Sequence, residues 1–247
     1  MIKDGEKITD NAIHSFLMIG QSNMAGRGEF GEVPAIDNPL CYMLRMGRWQ
    51  KMREPVNPDR PIFEGRFHSG ISLAASFANE LANHTETKVG LIPCADGGTT
   101  IDQWMPGEVL YDHAIMMTKL AMRSSSLAGI IWHQGESDCH SDDTLYAHKE
   151  KFINMITLLR KELGAEDIPL IIGELSENYA ESYNIGERSI CMNRFYREAA
   201  NELPMCAVAS SQGLELKPDG IHFNSAATRE FGKRYFEAYL GLVSKNQ

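Results

Sequence analysis

Four segments of this chain carry groups that chemistry needs in combination. Ser22 stands in Gly20-Gln21-Ser22-Asn23-Met24-Ala25-Gly26. A serine hydroxyl is a poor nucleophile until a base takes its proton. His222, in Asp219-Gly220-Ile221-His222-Phe223-Asn224, is a base of the right type, and Asp219 precedes it by three residues across a glycine. That spacing lets the carboxylate fold back on the imidazole Nδ1–H, fix its tautomer and stabilise the imidazolium. Ala95-Asp96-Gly97-Gly98-Thr99-Thr100 offers backbone N–H groups with no Cβ to block a ligand. Gln134, in His133-Gln134-Gly135-Glu136-Ser137-Asp138, offers a side-chain amide donor. With the Ser22 N–H, these donors could hold the oxyanion of a tetrahedral intermediate. Together the parts are those of acyl transfer.

Each segment also has a plainer reading. Ser22 in a glycine-rich loop is also a turn or capping serine. Gly20 and Gly26 do not have the spacing of a GxSxG elbow. Asp219-Gly220 is also an ordinary turn, His222 a satisfied surface or core histidine, Gly97-Gly98 a turn, and Gln134 a polar strand end. His133, Glu136, Asp138 and His140 also read as metal ligands, although their spacing matches neither HExxH nor the usual short His pairs. Trp49, Trp104 and Trp132 could stack on sugars. Trp132 lies in an apolar run and reads as core, whereas Trp104 follows the Gly97-Gly98 loop and is expected at a substrate wall. No phosphate-binding loop, dinucleotide fingerprint or zinc-ribbon pattern occurs in the sequence.

Positioning these groups takes a scaffold, and the hydrophobic pattern supplies one. His14–Gly20, Lys88–Cys94, Leu127–His133, Ile168–Gly173 and Met205–Ser210 read as buried strands, with a shorter candidate at Cys41–Met46. Helical spacing runs over Ile71–Asn83, with Leu73, Phe77 and Leu81 on one face. It recurs over Tyr111–Met122 and Glu187–Glu202. It also runs from Asp142/Asp143, as capping residues, to Leu163, with Phe152, Ile156 and Leu159 inward. Ser225–Leu242 closes the chain as a helix. Five strands separated by helices predict βαβ units, hence a parallel sheet covered on both faces. Ligands of such sheets bind beyond the carboxyl ends of the strands, where all four segments fall. The long irregular stretch from Gly20 to Gly70 exceeds a normal connection, which suggests a functional loop.

The chain has 247 residues with a formal net charge of −9. That length fits one domain spanning residues 1–247. An acidic chain repels phosphate backbones, so nucleic-acid partners are not expected. Apolar runs are too short for a membrane span. Met1-Ile2-Lys3-Asp4-Gly5-Glu6-Lys7 lacks the apolar core of a secretory signal, and five scattered cysteines form no CxxC pair. A cytoplasmic protein with reduced thiols, acting on neutral or cationic small molecules without a cofactor or metal, is the expectation.

In this order and at these strand ends, the four blocks resemble the SGNH hydrolase superfamily. The nearer likeness is to its sialate O-acetylesterase-like and family 6 carbohydrate esterase branch, which includes acetylxylan esterases. Gly20-Gln21-Ser22-Asn23 and His133-Gln134-Gly135-Glu136 are the more specific blocks, and the likeness spans Ser22 to His222. His68-Ser69-Gly70 departs from it, where many members carry a Gly-Pro pair. The resemblance implies a three-layer α/β/α sandwich with a five-stranded parallel sheet. It implies Ser22 as nucleophile, His222 as base and Asp219 as its partner, with Ser22 N–H, Gly98 N–H and the Gln134 side chain as oxyanion hole. Glu136 is an accessory to His222, a substrate ligand or a loop brace. Gln21, Asn23, Thr99 and Trp104 are expected on the substrate. The implied activity is removal of O-acetyl groups from a carbohydrate, of acetylated xylo-oligosaccharide or sialic acid type. The alternatives are a sugar-binding protein of the same fold without catalysis, and a metal-dependent hydrolase using His133 and His140.

Overall fold

The computed structural model describes residues 12–58, 68–179, 185 and 187–244. At its centre lies β1 (Ile13–Gly20), whose last six residues are buried. Two strands flank it in parallel, β4 (Lys88–Pro93) and β5 (Ser125–His133). β6 (Leu170–Gly173) and β7 (Cys206–Ala209) continue the sheet beyond β5. β2 (Cys41–Arg45) pairs parallel with β4, and β3 (Arg48–Lys51) pairs antiparallel with β2. The order is β3-β2-β4-β1-β5-β6-β7.

The sheet therefore has seven strands where the sequence pattern predicts five. The five expected strands are all present, and the additional two come from the irregular stretch after β1. β2 is the short candidate at Cys41–Met46. β3 left no signal because Arg48-Trp49-Gln50-Lys51 is an edge strand with three of its four residues exposed. A two-residue turn joins the pair, with Met46 at φ 51° and Gly47 at φ 73°, the left-handed pair that hairpins favour. Trp49 folds over Gly90, where a Cβ would stand 2.6 Å from its ring. Half-buried, it packs against the core at this edge of the sheet.

Alternation along β1 builds two cores. Phe16 and Met18 face one side and Leu17 and Ile19 the other, as the two-residue period of a strand requires. On the first side pack α2 (Leu73–Thr85) and α6 (Ser225–Ser244), with Phe77, Phe231 and Tyr235 buried between them and the sheet. On the other pack α3 (Val109–Ala121), α4 (Asp142–Leu163) and α5 (Arg188–Glu202), with Trp132 and Phe152 in the core. The result is the expected three-layer α/β/α arrangement. Leu73, Phe77 and Leu81 are buried, as are Phe152, Ile156 and Leu159. α4 is capped by Ser141, whose side chain accepts from Thr144 N. Asp142 and Asp143 fall instead in its first turn, where negative charge offsets the helix dipole. Among the described residues, no helix is long and apolar enough to cross a membrane.

Two of the contacts that pin the stretch after β1 lie at the entrance to α2. Gly28 bridges Ile71, and a Cβ on Gly70 would stand 2.1 Å from Gly28 O, so only glycine permits that approach. Glu54 accepts two bonds from Arg229 on α6 and one from Ser72 N at the start of α2. Its buried carboxylate thus joins three elements.

Candidate active site

β1 is where the strand order reverses, with later connections running left to β4 and right to β5. Chain leaving such a strand opens a crevice at its carboxyl end. Gly20 ends β1 at φ 132°, and a Cβ there would lie 2.1 Å from His133 O. Gln21 N then donates to His133 O, so the β1 and β5 exits are held together. Ser22 opens a one-turn helix, α1 (Ser22–Ala25), directly above this junction.

The structure brings Ser22, His222 and Asp219 into one line. Ser22 Oγ lies 2.9 Å from His222 Nε2, and His222 Nδ1 lies 2.8 Å from Asp219 Oδ2. Asp219 Oδ1 accepts from the N–H groups of Ile221 and His222, both at 3.0 Å. Gly220, at φ 71°, makes that tight return possible. Partial burial would raise the Asp219 carboxyl. Bonds from His222 and Ile221 outweigh it and hold the carboxyl below its ordinary value.

The Gly97-Gly98 loop closes the site on another side. A Cβ on Gly97 would stand 3.4 Å from Ser22 Cβ and 2.7 Å from Arg27 Nη2. Gly98 is exposed and adopts φ 72°, a left-handed turn directly after the residue that rests against Ser22. Arg27 was not singled out in the sequence; its Nη1 donates to Gly26 O at 2.8 Å, and its guanidinium lies against Gly97.

The four residues expected on the substrate lie instead beneath the site. Trp104 is 0% exposed, and its Nε1 donates to Thr99 Oγ1 at 3.0 Å. Thr99 is equally buried and donates to Asp96 O. Gln21 Oε1 accepts from Gln134 Nε2, with Ser137 N at 3.5 Å. Asn23 grips the backbone on both sides of His222, donating to Ile221 O at 3.1 Å and accepting from Phe223 N at 3.2 Å. Polar side chains at strand ends satisfy buried neighbours before they can meet a ligand.

Gln134 is also displaced from its expected role. Its Nε2 has two hydrogens and faces three acceptors, Asp138 Oδ2 at 2.6 Å, Thr99 O at 2.8 Å and Gln21 Oε1 at 3.3 Å. The side chain is fully buried. In this arrangement Gln134 braces the Gly97-Gly98 loop, and serving an oxyanion would require releasing one of those bonds. Asp138 reinforces the brace, since its carboxylate also accepts from Ile101 N.

Glu136 stands behind Asn23. Its Oε1 accepts from Asn23 Nδ2 at 2.6 Å and lies 3.2 Å from His133 Nε2. Burial alone would raise its carboxyl, but His133 and Asn23 hold it below its usual value. Tyr235 donates to Trp132 O at 2.8 Å, and its hydroxyl lies 3.4 Å from His133 Nδ1, steadying the buried ring. His133 is thus committed to Glu136, and His140 lies beside Tyr179, with Nε2 3.3 Å from the hydroxyl. The two histidines do not converge on a shared site. Among the described residues, no group of three His, Cys, Asp or Glu side chains could hold a metal.

Known proteins share this architecture. A curated relative from Arabidopsis thaliana, described as a probable carbohydrate esterase, is 28% identical over 244 residues, covering 91% of this chain and 89% of that protein. The crystal structure of that protein superposes with a TM-score of 0.81 at 24% identity, over 93% of this chain and 98% of the other. The structure of NanS gives a TM-score of 0.76 at 16% identity, over 95% and 98%. A carbohydrate acetylesterase from Xanthomonas citri gives 0.65 at 21% identity, over 94% of this chain and 57% of that one. The solved structures share the fold. The family model described as carbohydrate esterase, sialic acid-specific acetylesterase matches residues 12–241. The motif resemblance and this match agree, and the chain belongs to that family of carbohydrate esterases.

Proposed function

We propose that the chain removes O-acetyl groups from a carbohydrate through a covalent acyl-enzyme. Family membership makes it a carboxylic ester hydrolase. The observation that carries the mechanism is the line Asp219–His222–Ser22, with both links at hydrogen-bond length. Ser22 Oγ attacks the acetyl carbonyl while His222 Nε2 takes its proton. Asp219 holds the Nδ1–H tautomer and stabilises the imidazolium. The oxyanion forms against the N–H groups of Ser22 and Gly98. His222 then gives its proton to the leaving sugar oxygen, and the sugar departs. Water attacks the acetyl-serine, losing its proton to the same histidine, and acetate leaves with Ser22 restored.

Glu136 acts here as a brace. It fixes the Asn23 amide, and Asn23 fixes the backbone around His222. The description of the matching family favours acetylated sialic acids as the substrate. Acetylated xylo-oligosaccharides are the second class to test, since the carbohydrate acetylesterase neighbours name no single sugar.

The deciding experiment is acetate release from purified protein across acetylated sialic acids, acetylated xylo-oligosaccharides and 4-nitrophenyl acetate. Ser22→Ala should abolish turnover while the melting temperature holds, and a fluorophosphonate should label Ser22 in the wild type only. Wild-type rates in Ser22→Ala would refute the serine mechanism. Binding of sugars without labelling or turnover would identify a non-catalytic binder.

A further inference from the structure

Beyond Pro93 the chain leaves β4 but keeps a strand-like path towards Gly97. Alternate residues there bond to opposite sides, as in any parallel strand. Cys94 N donates to Met18 O and Asp96 N to Gly20 O, both on β1. Ala95, between them, turns its N–H and C=O the other way, towards β2. β2 has already ended, since its pairing with β4 stops at Leu91. Ala95 is buried, so two unpaired backbone groups would each cost about 1–3 kcal/mol.

Asn57 fills that vacancy. Its Nδ2 donates to Ala95 O at 3.0 Å, and its Oδ1 accepts from Ala95 N at 3.1 Å. Its amide is itself anchored, since Nδ2 also donates to Pro58 O at 3.0 Å. The side chain is buried, so water cannot substitute for it at low cost. One carboxamide thus reproduces a rung of the β-ladder at the root of the Gly97-Gly98 loop. Two residues on from Ala95, Gly97 rests against Ser22, and Gly98 follows at φ 72°. Ala95 therefore sets the direction from which that loop approaches the serine.

We propose that Asn57 is a positioning residue: it extends the β4 ladder by one rung and so aims the Gly98 N–H at the oxyanion. The proposal rests on the serine-esterase reading for its catalytic consequence, but the anchoring itself does not. It also gives part of the irregular stretch after β1 a specific task.

The test uses Asn57→Ala and Asn57→Asp in the full chain. Asp has the same shape and keeps the acceptor for Ala95 N, but sets a carboxylate oxygen against Ala95 O. A space-filling role would survive it, whereas the rung would not. Hydrogen exchange at residues 95 and 96 is expected to quicken at least about tenfold in both variants, with other core segments unchanged. With 4-nitrophenyl acetate, kcat should fall about tenfold or more while KM stays within about twofold, because an oxyanion donor acts in the transition state. Loss of a whole donor sets the upper limit, about 10²- to 10³-fold. Wild-type exchange at 95 and 96 in either variant overturns the proposal. So does quickened exchange with unchanged kcat. A wild type that hydrolyses no ester refutes the proposed function instead, and the exchange measurement still decides the rung.

Discussion

Replacing Asp219 by Asn exchanges one oxygen for one nitrogen and should remove nearly all activity. Oδ1 accepts two backbone N–H bonds at 3.0 Å and remains an oxygen in the variant. The atom facing His222 Nδ1 at 2.8 Å then becomes an amide nitrogen, which only donates. His222 must present a lone pair at Nδ1 and carry its proton on Nε2. That proton points at Ser22 Oγ, 2.9 Å away, and the ring can no longer accept the serine's proton. The lost charge adds to this. Opposite charges about 4 Å apart at an effective dielectric of about 20 attract by about 4 kcal/mol. Asp219 is 39% exposed, and screening reduces that to about 2 kcal/mol. At about 1.4 kcal/mol per decade, charge alone accounts for roughly 30-fold. The wrong tautomer brings the total towards the roughly 10⁴-fold known for a buried triad, and about 10³-fold is expected at this more exposed site. Initial rates with 4-nitrophenyl acetate should place the loss in kcat, with a cooperative melting transition retained and lowered by a few degrees at most. A loss under about tenfold would refute the reasoning. If Glu136→Gln then cost more than Asp219→Asn, the acid role would pass to Glu136.

Glu136 gives a pH test of stability. Its folded carboxyl is held below the ordinary value, so the unfolded chain binds the proton more readily. The stability it contributes is complete above the unfolded value of about 4.3 and is lost as pH falls through the folded one. Melting temperatures of wild type should therefore drop more steeply below about pH 4 than those of Glu136→Gln, and parallel curves would contradict this. Trp104→Phe removes a buried hydrogen bond to Thr99 and some ring volume. It should cost about 1–3 kcal/mol, seen as a melting shift of several degrees, with KM for every ester unchanged. A raised KM for sugar esters at unchanged melting temperature would put Trp104 back on the substrate.

Much of the fold was legible because buried parallel strands leave a strong mark. His14–Gly20 and Leu127–His133 are apolar runs that only a core accommodates, and both are strands. β3 was illegible because an exposed edge strand such as Arg48-Trp49-Gln50-Lys51 has no buried face to pattern. At the site, Ser22, Asp219 and His222 were legible because their types and spacing state a chemistry, and the structure aligns them. Gln21, Asn23, Thr99 and Trp104 belong to the same motifs, yet they face inward. A motif identifies residues that matter to a site without saying which of them touch a ligand.

Sequence by itself determined the two-sided α/β layering, the four strand-end segments and the family. The layering and the segments follow from local periodicity and from residue types a few positions apart, and the family from the resemblance of those segments to known motifs. Tertiary structure alone decided which polar groups remain free to act. Gln134 and Thr99 are 35 positions apart, Asn23 and Glu136 are 113 apart, and Asn57 and Ala95 are 38 apart. Whether an amide donates to a substrate or to a buried carbonyl depends on which acceptor the fold brings within about 3 Å of it. No local pattern records that distance, so the braces beneath the serine became visible only once the strands were side by side.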